Sequence, residues 1–188
     1  MVHLIFEGAE LSAKSFLIST VYPVLEKRDH TSPNVLDGCY WFNSDVGIFG
    51  TEKGPDVVEK YVEIAEILKD KNILFEKLHI SDDVYHLMNT GESRLAPTEI
   101  EKKLSEMNFK IVLTTFREDE ALIAKRLEVR LKQYPHYGRI AKPVSFYIAQ
   151  QELYKTAVKS SSLPYLEVDM SDYDAANGQK VLEWVGEN

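Results

Sequence analysis

Cysteine is almost absent from this sequence: Cys39 is the only one among 188 residues, so no internal disulfide can form and a reducing compartment suits the chain. Cys39 itself reads as a small buried thiol with no catalytic role. Long apolar runs are missing too. No stretch approaches the roughly 20 consecutive apolar residues that cross a bilayer. The short apolar opening at residues 2 to 6 lacks a basic lead and a small-residue cleavage pattern, so it reads as a first strand and not as an export signal. The expected location is the cytoplasm, with no membrane partner. Positive charge is also scarce, since 22 Lys and Arg face 30 Asp and Glu for a net charge of −8. The acidic residues are spread along the chain, which argues against a broad surface for a nucleic-acid polymer. A mobile nucleotide is still admitted, because its phosphates need only a few focused Lys, Arg and backbone N–H groups.

What is present describes a globular chain. The 44% apolar and 28% charged residues are near the averages for folded domains, and 188 residues suit one domain spanning 1–188. Five short segments rich in branched or aromatic residues, 2 to 6, 34 to 38, 72 to 76, 110 to 115 and 164 to 169, read as strands. Helical spacing fills 14 to 28, 55 to 70, 97 to 107, 118 to 133, 143 to 160 and 175 to 186. Pro33, Gly54-Pro55, Pro97, Pro143 and Pro164 punctuate the boundaries. Alternating strands and helices predict a three-layer α/β fold, a five-stranded parallel sheet with helices on both faces and ligands at the carboxyl ends of its strands. The aromatic, glycine-containing stretch from 38 to 54 reads as a long functional loop over that site.

Chemistry enters immediately after the first strand. Gly8-Ala9-Glu10-Leu11-Ser12-Ala13-Lys14-Ser15 stands in register with the G-x-x-x-x-G-K-[ST] phosphate loop, with Ala13 in place of the second glycine. In such a loop the backbone of Gly8, Leu11, Ser12 and Ala13 and the helix N-terminus cradle phosphates. Lys14 reaches the outer phosphates and Ser15 ligates Mg²⁺. Ala is the smallest replacement for glycine, and the sequence leaves open whether position 13 takes a positive φ. The plain alternative is an ordinary strand-to-helix turn with Lys14 in solvent.

The segment from Phe6 to Ser15 resembles the opening of the thymidylate kinase and deoxynucleoside kinase superfamily, in which an apolar strand runs into Glu-Gly and then the phosphate loop. The resemblance implies a P-loop kinase fold using ATP and Mg²⁺. It casts Glu7 as a base near the accepting hydroxyl and Glu10 as a contact to the acceptor's sugar. Residues 73 to 81, followed by Val84-Tyr85, resemble the family's third-strand pattern of an acid, an Arg, a Ser and an aromatic. Glu76 then becomes a second acidic candidate, for Mg²⁺ or for the acceptor hydroxyl, and Lys77 stands where Arg is usual, which forfeits the bidentate fork. Residues 111 to 115 and 122 to 130 resemble the fourth strand and the lid-bearing helix, with the lid at about 124–140. There Arg126 and Arg130, four apart on one helix face, would close over the transferred phosphate, with Lys125 beside them and Arg139 a further lid candidate. Residues 163 to 169 resemble the fifth strand. His79 reads as a structural hydrogen-bonding residue.

Two questions concern the acceptor and the activity. Between residues 35 and 75 there is no Arg to clamp an acceptor's phosphate. Asp37, Tyr40, Trp41 and Phe42, with Lys53 and Lys60, offer instead a setting for a base or sugar. The expected partner is therefore a small nucleoside or nucleoside monophosphate, tilted toward the nucleoside, and a homodimer is left open. Against the kinase stands a nucleotide-binding protein without transfer activity, motivated by Ala13 and Lys77.

Overall fold

The computed structural model describes residues 1–94 and 99–187. Its framework is a five-stranded parallel sheet of β1 (His3–Glu7), β2 (Cys39–Asn43), β3 (Asn72–Glu76), β4 (Lys110–Thr115) and β5 (Tyr165–Asp169), in the spatial order β2-β3-β1-β4-β5. Seven α-helices cover it among the described residues: α1 (Lys14–Asp29), α2 (Gly54–Ile67), α3 (His79–Thr90), α4 (Glu99–Glu106), α5 (Glu120–Gln133), α6 (Val144–Ser160) and α7 (Ala176–Trp184). A 3-10 turn at Pro135–Arg139 follows α5.

β1 is central, and its alternation explains both layers. Ile5 points into a core shared with α2 to α6 (Val62, Leu104, Ile123, Tyr154), while Leu4 and Phe6 point into a core shared with α1 and α7 (Leu17, Val21, Leu182). Both faces are thus buried, as expected for a near-continuous apolar parallel strand. From β1 the chain crosses outward toward β2, whereas from β4 it crosses the other way to β5. The crevice beyond the carboxyl ends of β1 and β4 is therefore the switch point at which open α/β sheets bind ligands.

Two expectations need correction. The second strand was expected at 34 to 38 and lies at Cys39–Asn43. Residues 31 to 38 are held as a turn: Val35 N–H donates to Ser32 O, and the Asp37 carboxylate accepts from both Thr31 N–H and the Thr31 hydroxyl. Leu36, which looked like strand core, is exposed. The Glu26 carboxylate of α1 accepts the Gly38 and Cys39 N–H groups at 2.9 and 2.8 Å, fixing where the strand begins. Helix α3 occupies a stretch between residues 76 and 97 to which the sequence spacing assigns no helix. Residues 39 to 43 of the expected 38-to-54 loop are strand and Gly54 opens α2, which leaves residues 44 to 53 as the loop. The helix expected from 97 begins at Glu99 among described residues, and positions 97 and 98, including Pro97, lie outside them.

A candidate phosphate-binding active site

The candidate phosphate loop leaves β1 at Gly8, whose φ is +143°. A side chain there would place Cβ only 2.4 Å from the Thr114 carbonyl oxygen, so only glycine fits. The Ser12 and Thr114 hydroxyls meet at 2.7 Å and pin the loop to β4. Leu11 and Ala13 both adopt the left-handed conformation, at φ +64° and +63°. Position 13 therefore does require positive φ, and its alanine carries strain that glycine would not. Lys14 opens α1 and is buried. Its ammonium donates to the carbonyls of Gly8 (2.7 Å) and Ala9 (2.8 Å), and burial, reinforced by the nearby Lys77 charge, brings its pKa down to about 8. The alternative of a solvent-exposed Lys14 is set aside.

At the second position of α1, the Ser15 hydroxyl donates to Glu76 Oε1 at 2.5 Å. The pairing follows from strand parity: Leu74 of β3 points into the α1 layer, so Glu76 does too. The hydroxyl and carboxylate present hard oxygen donors at the mouth of the phosphate loop, chemistry that fits Mg²⁺. Among the described residues no cluster of three or more His, Cys, Asp or Glu could hold a metal unaided.

The same parity corrects Glu7. It shares the face of Ile5, not that of Phe6, and is fully buried beneath α3. Its carboxylate accepts from Leu78 N–H (2.8 Å), Ser81 N–H (3.3 Å) and the Ser81 hydroxyl (2.5 Å), which in turn meets the Tyr154 hydroxyl. Burial raises its pKa above 4.5, with the Ser81 hydrogen bond opposing. Glu7 thus caps the first turn of α3 and does not line the cavity.

That cavity holds about 440 Å³ above the carboxyl edge of the sheet, and Glu10 to Ser15, Glu76, Lys77, Arg126 and Arg130 line it. Glu10, Lys77, Asp45 and Tyr85 form a knot at one end. Lys77, at φ +66°, donates to Glu10 Oε1 (2.7 Å), to the Tyr85 hydroxyl (2.9 Å) and to Asp45, while Tyr85 donates to Glu10 (2.8 Å). Burial opposes ionisation of both partners. Their attraction prevails, holding Glu10 well below the usual carboxylate range and Lys77 well above the usual amine range. At the other end, Arg126 of α5 is buried. It donates to Leu11 O (2.8 Å), Ser171 O (2.9 Å) and Met170 O and stacks over the Tyr173 ring, tying the phosphate loop to the β5–α7 connection. Arg130 packs against the rings of Tyr134 and Tyr137, and its buried Nε has no partner, as is true of Arg126 Nε.

Asp37, Tyr40 and Trp41, expected at the acceptor, are not brought to this cavity. Asp37 precedes β2 and pairs with Thr31 and Lys71 at the amino edge of the sheet. Tyr40 stacks near Phe42, and Trp41 leans on Tyr22 of α1. All three follow from the misplaced second strand. Lys60 pairs with Glu63 on α2, and Lys125 and Arg139 do not line the cavity. His79 contacts Glu101, as a structural histidine should. Asp45, Asn43 and Tyr173 were missed. A correct β2 register would have flagged Asp45, two residues beyond the carboxyl end of that strand.

No known protein family and no curated protein matches the sequence. Solved structures do. YorR from Bacillus subtilis, crystallised in complex with phosphorylated GDP, superposes with a TM-score of 0.65 at 18% identity, over 98% of this chain and 96% of that one. A candidate kinase from Chloroflexus aurantiacus gives a TM-score of 0.50 at 11% identity over the same shares. The fold is kinase-like. Within that fold the cavity is lined by Arg126 and Arg130 of α5 and by Asp45, Glu76 and the Glu10–Lys77 pair, and Lys14 lies close enough to Glu10, Glu76 and Lys77 to feel their charges.

Proposed function

We propose that this chain is an ATP-dependent phosphotransferase that phosphorylates a small nucleoside or nucleotide, in the manner of the thymidylate and deoxynucleoside kinases its phosphate loop resembles. The observation that carries the reading is the convergence of the phosphate loop, the Ser15–Glu76 pair and two α5 arginines on one cavity. ATP phosphates sit on the backbone of residues 8 to 15 at the start of α1. Lys14 exchanges its contacts with the Gly8 and Ala9 carbonyls for phosphate oxygens. Ser15 and Glu76 would hold Mg²⁺, which supplies charge neutralisation at the phosphates. The acceptor hydroxyl oxygen bonds to the γ-phosphorus as the bond to the ADP bridging oxygen breaks, with ADP leaving and the hydroxyl proton passing to Glu76 or solvent. Arg130, whose Nε is unpartnered, neutralises the transferring group, and Arg126 positions the loop through Leu11 O. Residues 124–140 serve as the lid over one domain spanning 1–188, a cytoplasmic protein with no polymer or membrane partner.

An ATP-consumption assay with Mg²⁺ across deoxynucleosides, ribonucleosides and their monophosphates tests this. Transfer to a member establishes the activity, and Lys14→Ala is expected to abolish it while the protein stays folded; unchanged transfer in that variant would sink the phosphate-loop assignment. A second reading, nucleotide binding without transfer, is favoured by the left-handed Leu11 and Ala13, which stiffen the cradle. ATP binding with no consumption on any acceptor would select it.

A further inference from the structure

The cationic side chains lining the cavity, Lys14, Lys77, Arg126 and Arg130, differ in what holds them. The Lys14 ammonium donates to the Gly8 and Ala9 carbonyls. Lys77 is engaged by Glu10, Asp45 and the Tyr85 hydroxyl. Arg126 donates to the carbonyls of Leu11, Met170 and Ser171. Among the described residues Arg130 has no side-chain hydrogen-bond partner and no ion-pair partner, and its Nε is buried. A guanidinium carries five N–H donors, so this one keeps its fork for a ligand.

What holds Arg130 instead is aromatic. Its guanidinium carbon lies 5.4 Å from the centre of the Tyr134 ring and 5.3 Å from that of Tyr137, within the range at which a ring face attracts a cation. The local chain delivers both rings. Tyr134 N–H donates to Arg130 O where α5 ends, setting Tyr134 one turn beyond the arginine, and the 3-10 turn brings Tyr137 back through its N–H to Tyr134 O at 2.9 Å. The two rings then differ. Tyr134 is exposed and lines the cavity, so it can touch a ligand itself. Tyr137 is half-buried and does not line the cavity. Its hydroxyl meets at 3.4 Å that of Tyr147, a buried residue of α6 whose oxygen also accepts Lys142 N–H at 3.0 Å.

We infer, on the phosphotransferase reading above, that Tyr137 is a positioning residue: its ring, fastened to α6, holds the Arg130 guanidinium ready with its donors free for the transferring phosphoryl group. A carboxylate would orient the arginine too, but it would occupy part of the fork and offset the charge the phosphoryl oxygens need. A ring face orients the cation through its quadrupole and leaves the N–H edge open. Without the ring the long side chain regains rotamer freedom that must be lost again in the transition state. Because Tyr137 does not line the cavity, its effect on transfer has to pass through Arg130.

The test measures kcat, acceptor KM and, by calorimetry, ATP affinity for Tyr137→Leu and Tyr137→Phe, using an acceptor found in the ATP-consumption panel. Tyr137→Leu is expected to lower kcat about tenfold, the scale of a desolvated contact between a ring and a cation, with ATP affinity changed far less. Tyr137→Phe keeps the ring and should recover most of kcat. In an Arg130→Ala background, itself slower by about a hundredfold, Tyr137→Leu should add no further loss, because the ring has nothing left to hold. Thermal unfolding checks that the variants fold. Fluorinated phenylalanines at position 137 keep the ring's shape while weakening its negative face, so kcat should fall stepwise with fluorination even if the leucine variant does not fold. Wild-type kcat in Tyr137→Leu, a full loss persisting without Arg130, or a flat fluorination series overturns the inference and leaves the kinase standing. ATP binding without transfer to any acceptor overturns it while sparing the donor site. Absence of ATP binding sinks the phosphotransferase reading itself.

Discussion

Ala13 adopts a left-handed backbone that alanine avoids, so Ala13→Gly should stabilise the protein by about 1 kcal/mol, the usual cost of a left-handed non-glycine residue less glycine's extra chain entropy. Denaturant midpoints check this, and calorimetry should show tighter ATP binding because a methyl group leaves the cradle. Glu7 illustrates the opposite case, a charged residue fixed in place by its partners. Glu7→Ala would strand the Leu78 and Ser81 N–H groups and leave the Ser81 hydroxyl only its Tyr154 partner, and should cost about 3 kcal/mol. Its raised pKa also has a sign. The native chain binds that proton more tightly than the unfolded one, so this group's contribution to stability falls as pH climbs from 4.5 toward the folded value. Glu7→Gln should flatten that fall in pH-dependent unfolding. For Lys14, held at about 8 by burial and Lys77, the ammonium that attracts phosphate is lost as pH rises through that value, so ATP affinity measured calorimetrically should drop several-fold from about pH 7 to about pH 9. Lys14→Met should bind weakly and without that slope.

At the scale of elements, the Lys77 knot joins the phosphate loop, the loop after β2 and α3 through one buried ammonium. Lys77→Met should destabilise the protein by about 3 kcal/mol, because two carboxylates lose their counter-charge; thermal unfolding reads this directly. The same element explains what the sequence could and could not tell. β3, β4 and α5 announce themselves by apolar runs and by the Asp119 cap, whose carboxylate accepts from Ala121 and Leu122 N–H. The turn from Gly8 into α1 is legible because its glycine, lysine and serine stand at local spacing. β2 was not: Val35 and Leu36 are as apolar as a strand, and only the long-range grip of Glu26 on Gly38 and Cys39 shifts it by five residues. That slip also misassigned Asp37, Tyr40 and Trp41 and hid Asp45. Helix α3 was hidden for a related reason. Its first turn is capped by Glu7, more than seventy residues away, and no local cap marks its start. Glu7 itself could have been assigned from strand parity, which puts it with Ile5 and away from the α1 layer.

For the molecule as a whole, the sheet order makes the site a product of distant segments. β1 pairs on one side with residues 73 to 76 and on the other with 110 to 113, and the phosphate loop is closed against β4 through Gly8, Ser12 and Thr114. A fragment ending at Met107 would keep every residue of the loop and all of α1, yet lack its β4 wall. It is expected not to bind ATP by calorimetry, and binding by that fragment would show that the loop needs no such wall. The pairing of β1 with β4 also sets a clock. At bacterial or eukaryotic elongation rates, on the order of ten seconds separate the emergence of Gly8 from that of Thr114. Throughout that interval the nascent chain carries the loop's residues without the wall that shapes them. Nucleotide in the cell therefore cannot serve as a template for folding the first hundred residues, and any rescue of folding by ligand must act on chains already extended past β4.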